Sequence, residues 1–464
     1  MYNYLILGCD VMNKTKTIWS LIMAVFIVVL VGVVYTFTKT SYAVFSDDVD
    51  GEKTIEVSVS NETSCTDNSN PPVLSSEMIP VYYDEIDKTW KIADKENKND
   101  SWYDYCNKKW ANSVVIKNNG QKYSKTSIGT EINIEDISAM FVWIPKYKYQ
   151  VWNYNEKGNV SSKEKEILLA FEKDSETTGD IKCDRESLME VCSFAQRTCA
   201  NGSCDNKTYT HPAFTTGYTG FWVGKFELSK EQNSLSIVPN KESYRNLNIK
   251  EFNDEIKSNS IEGLSKNENI SMINNDQWGA IAYLAYSKYG KTSEIANNNC
   301  ESYITGIGAT NINDGININV CNNQENIYNG KYGMQSSTTG NTYGVYDMSG
   351  GSYEYVLGVA SNDNEIIPGA SGYTKFEKID KNNLYQKAES SKNTSISKLG
   401  DGIREVTNGA TAWYNDSNYV VSEKWPWFIR GGSNKDKESA GIFNSSYSSG
   451  SKSEEYSTRV VILK

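Results

Sequence analysis

Asn341-Thr342-Tyr343-Gly344-Val345-Tyr346-Asp347-Met348-Ser349-Gly350-Gly351-Ser352-Tyr353-Glu354-Tyr355-Val356 is the most distinctive stretch of the chain. It sets Asp347 and Glu354 on either side of Gly350-Gly351, so two carboxylates share one tight glycine turn. Downstream come Trp425-Pro426-Trp427-Phe428-Ile429-Arg430-Gly431-Gly432-Ser433, the short stitch Ala440-Gly441-Ile442-Phe443, and Thr458-Arg459-Val460-Val461-Ile462. Upstream, Ala139-Met140-Phe141-Val142-Trp143-Ile144-Pro145 is an apolar strand too rich to sit on a surface. The core resumes at His211-Pro212-Ala213-Phe214 and at Gly220-Phe221-Trp222-Val223-Gly224-Lys225-Phe226-Glu227. Asp276 to Tyr286 carries apolar residues at helical spacing and reads as one of few helices.

Composition narrows the class. A chain of 464 residues has room for two or three domains. Its aromatic fraction of 12%, with 31 Tyr and only 8 Pro, suits a loop-rich, strand-rich protein. The formal charge of −11, with no basic stripe, argues against nucleic acid, whose phosphates need clustered Lys and Arg.

Ile18 to Phe37 is uncharged, lacks a polar face, and is about long enough to cross a ~30 Å hydrocarbon core. Lys14 and Lys16 precede it, which keeps the N-terminus inside and sends the rest out. A cleaved signal peptide ending near Ser41-Tyr42-Ala43 is the alternative, and the length of the run favours a retained single-pass anchor in the cell membrane. Met12-Asn13-Lys14 reads as a more natural start than Met1.

Beyond the anchor lie Cys65, Cys106, Cys183, Cys192, Cys199, Cys204, Cys300 and Cys321. An even number outside the cell suggests disulfides, and neighbour pairing would give Cys65–Cys106, Cys183–Cys192, Cys199–Cys204 and Cys300–Cys321. One His and no Cys-x-x-Cys argue against zinc. The expected organisation is a tail and anchor over 1–43, a β-rich spacer domain over 44–135, and a main domain over 136–464. Val81-Tyr82-Tyr83 and Trp90-Lys91-Ile92 would form a hairpin in the spacer, and a cysteine-bearing insertion would fill the main domain near 154–210.

Taken in order, the core segments resemble the formylglycine-generating-enzyme-like (sulfatase-modifying factor) family, whose core is a variant of the C-type lectin fold. Val142 to Pro145 matches its Val-x-Ile-Pro strand, Gly224 to Glu227 its Gly-Lys-Tyr/Phe-Glu segment, and Gly344 to Tyr355 its Gly-x-Tyr-Asp-Met-x-Gly-Asn-x-Trp-Glu-Trp turn. Arg430 to Ser433 matches Arg-Gly-Gly-Ser, and Thr458 to Ile462 the closing strand. The resemblance implies an α+β fold with few helices and many loops. It also implies a structural calcium held by Asp347, Gly350, Ser352 and Glu354, whose oxygens are hard donors. The family's oxidases need a cysteine pair after Arg-Gly-Gly-Ser to bind copper, and its iron-dependent relatives need several His. No cysteine follows Cys321 and His211 stands alone, so copper, iron and the oxidative chemistry are not expected.

Other enzyme classes fare no better. His211 has no Gly-x-Ser-x-Gly partner, and the acidic pairs Asp254-Glu255 and Glu454-Glu455 sit in solvated runs. The expected function is non-catalytic recognition of an extracellular protein or glycan at a bacterial surface; a structural or pilus-associated subunit is the alternative. The layout also resembles the variable C-terminus of retroelement-diversified surface proteins. Asn434, Asp436, Asn444, Ser446, Tyr447, Ser449 and Tyr456 are expected to face ligand, with Trp425, Trp427 and Arg430 supporting them from below.

Overall fold

Ile137–Pro145 reads ISAMFVWIP, and all nine residues are buried, because β-branched and aromatic side chains pack on both faces of the strand. In this computed structural model that strand lies within an antiparallel sheet. The structure describes residues 70–96, 102–150, 164, 166–173, 199–200, 203–204, 208–214, 217–298, 303–308, 324–362, 365–366, 376, 380, 383–386, 398–408 and 411–464. All of them belong to one compact unit, Glu62–Lys464.

The strands that position the site are β1 (Ile79–Asp84), β2 (Thr89–Ile92), β3 (Asn112–Ile116), β4 (Glu131–Ile132), β5 (Ile137–Pro145), β6 (Gly220–Gly224), β7 (Ile270–Met272), β8 (Tyr353–Asn362), β9 (Trp427–Arg430), β10 (Ser445–Ser448), β11 (Tyr456–Thr458) and β12 (Val460–Leu463). The first sheet runs β7-β12-β6-β5-β3-β1-β2-β4. Every neighbouring pair in it is antiparallel.

This sheet runs across the expected boundary near residue 135, with β3 on one side paired to β5 on the other. The hairpin forms, with Val81 opposite Ile92 and Tyr83 opposite Trp90. Its apolar face is not free-standing, however. β3 pairs with β5, and the Trp90 indole N–H donates to the Tyr328 hydroxyl at 3.1 Å. A two-stranded hairpin is marginal alone, so residues 79–92 draw their stability from the sheet they join.

The second sheet is mixed. β8 pairs antiparallel with β9, placing Glu354 opposite Arg430, and parallel with β11, placing Glu354 opposite Ser457. β10 then pairs antiparallel with β9.

Two α-helices are present among the described residues, α1 (Ile249–Ser258) and α2 (Asn275–Ala285). Both open with a reciprocal cap. Asn248 accepts from the Glu251 N–H while Glu251 accepts from the Asn248 N–H, and Asn274 and Gln277 do the same. All of α2 is buried, because the loop at Gly400 crosses directly over it. A Cβ on Gly279 would lie 1.8 Å from the Gly400 carbonyl oxygen.

The α+β expectation is therefore corrected: the described residues are mainly β-sheet with two short helices. The single-pass anchor and the cell-membrane location are corrected with it, since no helix among the described residues is long and apolar enough to cross a membrane. The run Ile18 to Phe37, the tail over 1–43 and most of the insertion near 154–210 lie outside the described residues. Cys106 is disulfide-bonded. Cys199 stands opposite Cys204 in a two-stranded ladder, and Cys65, Cys183, Cys192, Cys300 and Cys321 lie outside the described residues.

Candidate recognition site

The segments that stood out in the sequence meet at two buried arginines. Arg459, fully buried just before β12, reaches Glu354 on β8 through Nη2 at 2.5 Å and Nε at 3.1 Å. Its remaining N–H groups donate to the Gly224 and Tyr346 carbonyls, both at 2.8 Å. One side chain thus ties together the Gly-Lys-Phe-Glu segment, the glycine turn and the last strand. The turn itself is held by Glu227, whose Oε1 accepts the Ser352 N–H at 2.8 Å. Gly351 is required there: its φ is +74° and a Cβ would meet that same Oε1 at 2.6 Å.

Burial, opposed by Arg459, raises the Glu354 carboxyl to about 7, and burial also raises Asp347 and Glu227. Lys225 is buried as well, and its three N–H groups find Asn112 Oδ1 and the Thr342 and Gly344 carbonyls at 2.6–3.0 Å.

The four residues expected to hold calcium do not fit it. Both Glu354 oxygens are taken by Arg459. Asp347 accepts from the Gly306 N–H and from Asn298 Nδ2 at 2.9–3.0 Å, and the Ser352 hydroxyl bonds Ser243. Among the described residues no three His, Cys, Asp or Glu side chains are grouped to hold a metal ion.

Arg430, at the end of β9, makes the second centre. Its guanidinium donates to Asn275 Oδ1 and to the Asp401, Gly402 and Asn444 carbonyls at 2.9–3.2 Å. Beyond it lie Asp401 and Glu405, which burial pushes up to about 7 and about 8. Tyr149 and Tyr283 donate hydroxyls to Glu405, and the Gly400 N–H donates at 2.7 Å. His211 is packed among Tyr147, Tyr149, Phe214 and Tyr283, and burial depresses it to about 3. A fully buried neutral imidazole, accepting from the Ala213 N–H, is a packing residue rather than a base.

The residues expected to face ligand divide into two groups. Asn434, Asn444 and Ser449 are buried. Asn444 gives its carbonyl to Arg430 and its amide to the Ser439 carbonyl, while the Asn434 N–H donates to Gly351. Asp436 is partly exposed but closes a turn, accepting the Ser433 N–H at 2.7 Å. Tyr456 is half-buried, edge-on to Tyr353 and Tyr355. Polar side chains here serve the backbone of tight turns, which explains why they are not free.

Ser446 and Tyr447, on β10, are partly exposed. Trp427 and Arg430 lie beneath, fully buried. Trp425 does not support from below as expected. It is 37% exposed, stacked on Tyr447 with centroids 5.0 Å apart and planes at 21°. Tyr419, 48% exposed, meets Tyr447 edge-on at 6.1 Å, and the Lys424 ammonium sits 4.5 Å over the Trp425 ring. Sequence reasoning missed Tyr419 altogether.

No known protein family matches the chain, and no curated relative does. Among solved structures it is similar to the Major Tropism Determinant M1, I1 and P3c variants at 10–11% identity, covering 86% of this chain and 97–98% of theirs. The TM-scores are 0.27–0.28, too low to establish a shared fold.

Proposed function

We propose that the protein is a non-catalytic recognition protein that binds an extracellular protein or glycan through the cluster of Tyr419, Trp425 and Tyr447. The observation that carries this reading is an exposed group of aromatic rings already packed on one another. Such rings offer large contact area with little side-chain entropy left to lose, and Trp and Tyr dominate the energetic centres of interfaces. The rim supplies Ser422, Glu423, Lys424 and Ser446 for adaptable polar contacts. The disulfide at Cys106 fits an oxidising compartment, where such a ligand would be met.

The test is binding of the full chain to arrays of cell-surface proteins and glycans, comparing it with Trp425→Ala and Tyr447→Ser. The reading expects specific capture that both variants lose while their circular dichroism stays unchanged. Capture that survives both variants would assign recognition elsewhere.

A further inference from the structure

A different part of the surface holds an open cleft of about 500 Å³, lined by Lys230, Ser243, Tyr244, Arg245 and Asn246 together with two glutamates, Glu242 and Glu454. That volume lies within the range of small-molecule sites. We propose that it is a second binding site, specific for a neutral polyhydroxyl ligand of disaccharide size.

Charge comes first. The lining carries two cations and two carboxylates, and the cations are already answered within the protein. Lys230 is paired with Glu255 at 3.1 Å and with the Tyr244 hydroxyl at 3.2 Å. Arg245 is paired with Glu242, donates to the Glu454 carbonyl and stacks 4.1 Å over the Tyr303 ring. A phosphate or carboxylate ligand would have to displace these partners, and a cationic one would have to displace Arg245 from Glu242. A neutral ligand displaces neither.

Rigidity comes next. Asn246 is fixed at φ +65° and its N–H donates to the Ser453 carbonyl at 3.0 Å, so its amide is presented from a strained but held backbone. Ser243 is anchored through its hydroxyl to Ser352 in the glycine turn, which ties the cleft floor to the buried frame. The Asn246 amide and the Glu454 carboxylate, both exposed at the cleft, present the paired donors and acceptors that adjacent hydroxyls require.

Saturation-transfer NMR of the full chain with lactose, maltose and chitobiose tests this, with glycylglycine and inorganic phosphate as controls. At least one disaccharide is expected to receive saturation, neither control should, and Asn246→Gly, which keeps the backbone angle, should weaken binding about tenfold. Glu454→Ala should do the same. No transfer to any of the three sugars, transfer unchanged in Asn246→Gly, or preferential binding of phosphate or the dipeptide would each overturn the proposal.

Discussion

Trp427 and Trp425 stand two residues apart in opposite surroundings. Trp427 opens β9 and is completely buried, along with Phe428 and Arg430, whereas Trp425 precedes Pro426 and lies against Tyr447 on the surface. The region around Arg430 and Arg459 is a sealed frame in which both guanidinium groups, Glu354 and Glu405 are hydrogen-bonded inside the protein. The cluster of Tyr419, Trp425 and Tyr447 is built of rings that touch each other and water. The difference teaches that one polar, aromatic C-terminal sequence performs two jobs: buried polarity sets the fold, and exposed aromatics are left for binding.

Breaking the frame should have the largest effect. Arg459→Met strands Glu354 in a buried site, and removing one partner of such a pair costs about 3–5 kcal/mol. Urea unfolding should show that loss; a loss under about 1 kcal/mol would mean that the ion pair is not the tie proposed.

A smaller effect of defined sign comes from Glu405. Its ordinary value is 4.5 and burial raises it to about 8 in the fold, so the folded chain keeps a proton that the unfolded chain has released. The stability this contributes is full below about 4.5 and is lost as pH rises through 8. His211 is depressed to about 3, so its own pH dependence is complete by 6.5, and that of Glu354 and Asp401, raised to about 7, is complete by about 7. From pH 7 to 9 the native chain should lose stability up to about pH 8 and then level off, and Glu405→Gln should remove most of that loss.

The exposed cluster should respond in the reverse manner. Trp425→Ala should change folding stability by less than about 1 kcal/mol, because a surface ring loses little on truncation. A larger loss on urea unfolding would make Trp425 part of the frame. The smallest expected effect is that of calcium. A site filled a hundredfold above its Kd would add about 2.7 kcal/mol, enough to raise Tm by several degrees. Since the donors of Asp347 and Glu354 are engaged, adding calcium or chelator should leave Tm unchanged.

Much of the frame was legible in the sequence. Continuous apolar text marked Ile137–Pro145, helical spacing marked Asn275–Ala285, and the segments around Gly224, Gly350, Arg430 and Arg459 converge in space. What stayed hidden has physical causes. Asn434 and Asn444 read as surface because they are polar, and composition does not distinguish a solvated side chain from one buried in a turn, as the Asn444 amide is against the Ser439 carbonyl. The hairpin at 79–92 read as a separate spacer because strand pairing between β3 and β5 is a long-range choice with no local signal. Tyr419 escaped notice as one tyrosine among 31, since only the fold brings it against Tyr447.

Hydroxyl-radical footprinting of the intact chain, read residue by residue by mass spectrometry, tests the division most directly. The account predicts rapid oxidation of Trp425 and Tyr419, with Trp427, Trp278 and Trp413 protected until the protein is unfolded. Equal oxidation of Trp425 and Trp427 in the native state would contradict it.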